Sequence, residues 1–195
     1  MQIADATCRK LQPFAPDLLR YWLQLPDAHR RLPDECSDPQ ALLARLCGLD
    51  LLIEATRLLA YALPEREAVW WSCMCVRHTM PSPAGAEGAA VEAAEAWVRQ
   101  PGKAARHEAG LASSGPGYAA PGAWSALGVA WSGRERLLRD LCPGRGAAMA
   151  VARAAARGAP ERAPERLRRF IESGVDIGRG GAGRIPDEAV PEMTS

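Results

Sequence analysis

The stretch of nine residues from Ala68 to Val76 carries almost no polar side chain, and it limits the possible fold more than any other part of the chain. Pro64 and two glutamates precede it, and Arg77 and His78 follow it. Proline suits the first turn of a helix, and this order of charges complements the helix macrodipole. A helix that is apolar on all sides must be surrounded by protein. The sequence therefore predicts a helix at the centre of the core.

Proline, glycine and cap residues divide the rest of the chain into further helical segments. Asp38 followed by Pro39 is typical of a helix start, and Gly48 is typical of its end. Other helices are expected around residues 17–24, 51–62, 90–99, 103–113, 124–131, 147–157 and 164–173, the last ending at Gly174. No run of β-branched or aromatic residues alternates with polar ones. The pattern predicts an all-α fold of about seven or eight short helices, stacked as antiparallel hairpins.

Composition divides the chain into one domain and two flanking segments. Residues 1–36 form a proline-rich N-terminal segment with room for one short helix. Residues 37–177 form the helical domain. Residues 178–195 have the glycine, proline and polar content of a flexible tail. A single domain of this size can bury a core without a metal or a disulfide.

Charge and cysteine usage exclude several classes of partner. The net charge is +1, so no overall field attracts nucleic acid or an anionic membrane. No stretch approaches the ~20 apolar residues that span a bilayer, and the first residues do not have the pattern of a signal peptide. The six cysteines are then expected to be reduced, buried thiols. We expect a soluble, cytoplasmic protein without a cofactor.

Cys75 and His78 are the residues closest to a catalytic or metal-binding pattern. On a helix they share a face, whereas Cys73 points away from it. A zinc site needs further ligands, and a thiol enzyme needs an activated cysteine beside a base. A metal- or thiol-dependent enzyme that uses these two residues remains one alternative. Packing of the side chains is the favoured interpretation, because no local pattern supplies the missing groups.

Tryptophan and arginine residues are the candidates for partner binding, because both are enriched where interfaces gain most of their energy. Between Arg145 and Arg184 the sequence contains nine arginines but only four acidic residues. This excess also permits weak nucleic-acid binding as a second alternative, although Phe170 is the only aromatic residue among these arginines. The predicted partner-binding residues are Trp71, Trp124, Trp131, Arg145, Arg168 and Arg169.

Four motifs, PEREAVWW from Pro64, AWV at residues 96–98, WSG at residues 131–133 and FIESGVDI from Phe170, occur in this order. Together they resemble an uncharacterised bacterial family, a domain of unknown function associated with type VI secretion gene neighbourhoods. The resemblance extends from about Leu42 to Gly180. It implies a helical accessory of a contractile secretion apparatus, and it brings no catalytic residues. The chain has Ala130 where members of that family often have an aromatic residue.

The residues and the resemblance together favour an interaction protein over an enzyme. We expect a cytoplasmic accessory or adaptor that presents a helical surface to a secretion component or an effector. An adaptor, a chaperone and an immunity protein would all use such a surface, so the sequence does not separate them. It does not define the oligomeric state either.

Overall fold

A computed structural model describes residues 8–36, 38–80, 82, 84–133 and 141–186, and it confirms the all-α prediction. The described residues form ten α-helices and two short 3-10 turns, and they contain no strand. None of these helices combines the length and the apolar character needed to cross a membrane. The helices are α1 (Pro16–Leu23), α2 (Leu32–Glu35), α3 (Pro39–Gly48), α4 (Leu52–Ala62), α5 (Glu65–Thr79), α6 (Gly85–Arg99), α7 (Lys103–Ala112), α8 (Pro121–Ala130), α9 (Pro143–Ala156) and α10 (Ala163–Arg179).

Helix α5 lies at the centre of the core, as its apolar sequence predicts. It packs against α4, α6, α8, α9 and α10, and most of its side chains from Ala68 to Val76 are buried. Trp70 is the most exposed large side chain of this stretch, at 36%, and Met74 is also partly exposed. A buried pair of hydroxyls, Ser72 and Ser125, joins α5 to α8 through a 2.9 Å hydrogen bond.

Helices α8 and α9 cross at two glycines that let their backbones touch. A Cβ atom added to Gly146 would lie 2.5 Å from Cα of Gly128 and 2.7 Å from the carbonyl oxygen of Trp124. Towards the other end of α9, the guanidinium of Arg153 lies over the ring of Trp124. Residues later in α9 thus contact residues earlier in α8, so the two helices run antiparallel.

The last helix, α10, continues beyond its predicted end. It passes through Gly174 and ends at Arg179, where Gly180 adopts a φ of 101°. Gly174 is a buried residue within the helix. A Cβ atom added there would lie 3.0 Å from the indole of Trp71. The prediction that Gly174 ends the helix is therefore wrong. The glycine provides space for a neighbouring side chain.

Residues 180–186 pack back on α10, so the predicted flexible tail does not begin at residue 178. The amide of Gly183 donates to a carboxylate oxygen of Asp176 at 2.8 Å, and the hydroxyl of Ser173 donates to the carbonyl oxygen of Gly183 at 2.5 Å. Ile185 is partly buried against the core. The rest of the predicted tail lies outside the described residues.

The N-terminal segment docks on the helical domain. The rings of Trp22 and Tyr61 are stacked at 4.4 Å, and Arg57 donates to the carbonyl oxygen of Leu23 at 2.8 Å, at the end of α1. The amide of Lys10 donates to the carbonyl oxygen of Gly178 at 3.0 Å. The described part of the segment contains α2 as well as α1, so the expectation of a single short helix is corrected.

Candidate partner-binding surface

Trp71 is a core residue, which corrects its place among the predicted partner-binding residues. Its side chain is 0% exposed, and its indole Nε1 donates to the carbonyl oxygen of Phe170 at 2.8 Å. A side chain with no exposed surface cannot contact a partner while the protein is folded. Trp71 instead joins α5 to α10.

Trp124 is partly buried against the core and forms a cluster with Tyr118 and Arg153. Its indole Nε1 donates to the carbonyl oxygen of Tyr118 at 2.8 Å, and the two aromatic rings are 5.7 Å apart at an angle of 51°. The Cζ atom of Arg153 lies 5.7 Å from the centroid of the Trp124 ring, within the range of a cation–π interaction. The Tyr118 side chain is 59% exposed. We name these three residues the aromatic–arginine cluster.

The local sequence explains how Tyr118 and Trp124 come together. Pro121 starts α8, and Gly117, with a φ of 73°, turns the preceding loop. The turn places the carbonyl group of Tyr118 beside the indole of Trp124, one helical turn into α8. The hydrogen bond between them fixes the ring that Arg153 covers.

Glu87 supports the base of the cluster by joining three helices. Its Oε1 atom accepts a hydrogen bond from the amide of Gly122 at 2.9 Å, which attaches the start of α8 to α6. The same oxygen is paired with the guanidinium of Arg157, one turn beyond Arg153 on α9. The side chains of the cluster therefore stand on helices that are tied to each other.

The remaining predicted residues do not join the cluster. Trp131 is half-buried at the C-terminal cap of α8, and Arg145 is half-buried in the first turn of α9. Arg168 and Arg169 lie on α10, which packs against α4, α5 and α9. Arg168 pairs with Asp50 at 2.7 Å, and Arg169 pairs with Glu165 at 2.6 Å. Of the six predicted residues, Trp124 is the one in the cluster.

Two residues of the cluster, Tyr118 and Arg153, were not predicted from the sequence. The sequence could have indicated Tyr118, because an aromatic residue in a glycine-rich loop six positions before Trp124 can fold back on that tryptophan. The sequence could not have indicated Arg153, because its contact with Trp124 depends on the close crossing of α8 and α9.

Cys75 and His78 lie on α5 as predicted, but in unlike surroundings. Cys75 is fully buried, and burial raises the pKa of its thiol well above the ordinary value. His78 is half-buried, and its ring meets that of Phe170 edge-on at 5.7 Å. Within the part of the chain that the structure describes, no group of three histidine, cysteine or acidic side chains could hold a metal ion. All six cysteines are free thiols in the structure.

The buried thiol of Cys73 should make the protein less stable at alkaline pH. Burial raises the pKa of this thiol from 9.0 to about 12, with a smaller contribution from Glu95. Above pH 9 the unfolded chain loses the proton and the folded protein keeps it, so the free energy of unfolding falls by up to ~1.4 kcal/mol per pH unit. Between pH 8 and pH 10.5, urea denaturation should show a fall about 2 kcal/mol larger for the wild type than for Cys73→Ala. Equal falls would contradict this assignment.

Comparison with known protein families gives a match over most of the chain. The sequence matches a family described as a family of unknown function, DUF6931, over residues 42–178. This span holds the central helix and the whole aromatic–arginine cluster, and it nearly coincides with the span of the resemblance found in the sequence motifs. No curated protein and no protein of solved structure matches the chain.

Proposed function

We propose that this chain, which belongs to the DUF6931 family of unknown function, is a protein-interaction module. In this proposal it acts as a cytoplasmic accessory or adaptor of a bacterial type VI secretion system. The choice of the secretion system is supported by the resemblance of the PEREAVWW motif and the later motifs to a family associated with such gene neighbourhoods. The choice of an interaction module is supported by the aromatic–arginine cluster.

The single observation that carries the proposal is the composition and support of this cluster. Tryptophan, tyrosine and arginine are the residue types most enriched among side chains that dominate binding energy. Trp124 is held by its hydrogen bond to Tyr118 and by Arg153, so little side-chain freedom remains to be lost when a partner binds. The ring of Tyr118 offers a largely exposed apolar surface beside them.

The charges of the arginine-rich region favour a protein partner over nucleic acid. Binding to phosphates gains its energy when unpaired lysines and arginines replace counterions. Arg157, Arg168 and Arg169 each pair with a carboxylate of the same chain. Arg166 is buried and donates to the carbonyl oxygens of Ala155 and Arg157 at the end of α9. These four arginines thus have structural roles.

We expect affinity purification of the tagged protein from its native host to recover a type VI secretion component in a stoichiometric amount. Trp124→Ala should lower that recovery at least ~10-fold, because loss of a central tryptophan removes 2 kcal/mol or more of a typical interface. Mass spectrometry of the purified material measures the recovery.

Trp70→Ala is the matched control, since it removes a partly exposed tryptophan from α5 instead of from the cluster. Circular dichroism should establish that both variants are folded. Tyr118→Ala tests the same surface with less risk to the fold, because its side chain is largely exposed. Recovery that falls equally in Trp70→Ala and Trp124→Ala, or that contains no secretion component, would contradict the proposal.

A further inference from the structure

We infer that the aromatic–arginine cluster recognises a peptide segment of its partner in which a carboxylate side chain stands beside an aromatic or aliphatic one. The inference deepens the proposed function and rests on it, because it names the chemistry of the partner at the same surface. It follows from the state of Arg153, from the exposure of Tyr118 and from the pairing of the neighbouring arginines.

Arg153 carries a charge that no carboxylate of the described residues neutralises. Its Nε atom is buried and has no hydrogen-bond partner among the described residues, and its guanidinium lies over the Trp124 ring. Arg157, one turn further along α9, differs in that it pairs with Glu87. Because its Nε atom is buried, an incoming carboxylate would have to bind the two terminal Nη groups of this guanidinium, with which it can form two parallel hydrogen bonds.

Trp124 holds this guanidinium in place. The cation–π contact, with the Cζ atom 5.7 Å from the ring centroid, limits the rotation of the arginine side chain, so less entropy is lost when a carboxylate binds. An incoming carboxylate would meet the guanidinium on the side away from the Trp124 ring. A residue adjacent to that carboxylate would then meet the ring of Tyr118.

The exposed ring of Tyr118 accounts for the apolar half of the predicted segment. Its centroid lies 5.7 Å from that of Trp124, so the charged group and the apolar surface are within the reach of adjacent peptide residues. A carboxylate alone on a surface arginine binds weakly, because water and salt screen it. Burial of an aromatic or aliphatic side chain on Tyr118 supplies the rest of the affinity.

A single unpaired guanidinium favours an acidic peptide over nucleic acid. Phosphate backbones are bound by several cations at once, and affinity depends steeply on their number. The nearest arginine along α9, Arg157, has its charge taken up by Glu87. Among the described residues, the cluster therefore offers one anion-binding group beside an apolar ring, which matches a peptide side-chain pair.

Selection from a displayed library of random peptides tests the inference directly. Peptides are selected on the wild-type protein and then depleted on Tyr118→Ala, which leaves peptides that need the cluster. We expect aspartate or glutamate next to tryptophan, phenylalanine or leucine to be enriched among them. Enrichment of basic or uncharged peptides overturns the inference, and so does a selection that returns no peptide dependent on Tyr118.

Arg153→Gln then tests the role of the charge. Binding of a selected peptide should weaken about tenfold in this variant, while binding of the same peptide with its carboxylate replaced by an amide should change less than about twofold. Thermal denaturation shows whether the variant keeps its fold, and Arg153→Met provides a second uncharged side chain for the same comparison. Equal weakening of the acidic and amide peptides overturns the inference.

Two patterns of results separate this inference from the proposed function. Loss of the secretion component in Tyr118→Ala, together with full recovery in Arg153→Gln, overturns the acidic chemistry and leaves the interaction surface standing. Failure to recover any secretion component, together with selected acidic peptides that depend on Arg153, overturns the secretion-system role and supports the peptide chemistry. Retention of DNA by the wild type that is lost in Arg153→Gln points to nucleic acid and overturns the inference.

Discussion

Replacement of Trp71 by alanine should lower the free energy of unfolding by about 4 kcal/mol. The indole is fully buried between α5 and α10, and its Nε1 donates to the carbonyl oxygen of Phe170 at 2.8 Å. The substitution leaves a large cavity that the tightly packed neighbours cannot fill, and it removes a buried hydrogen bond. Urea denaturation followed by circular dichroism measures the change.

The adjacent residue provides a matched control. Trp70 is 36% exposed and buries less of its indole than Trp71 does, so Trp70→Ala should cost about 1 to 1.5 kcal/mol, well below the loss in Trp71→Ala. Trp71→Phe should fall between the two, at roughly 2 kcal/mol, because phenylalanine keeps most of the buried volume and loses the donor. Similar losses for Trp70→Ala and Trp71→Ala would show that the burial assigned to these two side chains is wrong.

Gly146→Ala should destabilise the protein by about 3 kcal/mol, because overpacking at this site meets backbone and not flexible side chains. The added Cβ atom would lie 2.5 Å from Cα of Gly128 and 2.7 Å from its amide nitrogen. Helices α8 and α9 would have to separate to admit it, which would also disturb the contact of Arg153 with Trp124. Chemical denaturation measures the loss of stability.

Gly48→Ala tests whether this effect is steric. Gly48 is the last residue of α3, and an added Cβ atom there meets no other atom within 4 Å. Since alanine favours a helix more than glycine does, its stability should stay unchanged or rise by up to about 1 kcal/mol. A comparable loss in Gly48→Ala and Gly146→Ala would exclude close helix contact as the cause.

The central helix could be predicted from the sequence, whereas the roles of its two tryptophans could not. An apolar stretch without a polar face requires burial but does not show which side meets which neighbour. Trp70 and Trp71 are about 100° apart around the helix axis, and the packing of the neighbouring helices determines which of them is buried. The sequence alone therefore leaves Trp71 among the predicted partner-binding residues, although it belongs to the core.

The end of α10 was misplaced for a similar physical reason. Glycine often follows the last turn of a helix, and this local rule selected Gly174. The actual role of Gly174 depends on Trp71, which is distant in sequence and lies 3.0 Å from the position of an added Cβ atom. A rule that considers only neighbouring residues cannot distinguish a helix end from a site of close packing.

The candidate site was predicted in part. Trp124 is among the predicted partner-binding residues because large aromatic residues are enriched in interfaces. The expected helix over residues 124–131 begins at this tryptophan, whereas α8 begins at Pro121. Arg153 could not be selected among the nine arginines from Arg145 to Arg184, since they differ only in what the folded chain brings near them. The proposed specificity therefore became accessible only from the three-dimensional arrangement.

The hydrogen bond between Lys10 and Gly178 has a consequence for synthesis on the ribosome. Residues 8–11 are synthesised before α10, which completes their binding position. Cys8 and Leu11 lie beside Gly178 in the folded protein, so they remain without this contact until translation has passed residue 178. The attachment of residues 8–11 to α10 is therefore a late event in the synthesis of the described chain.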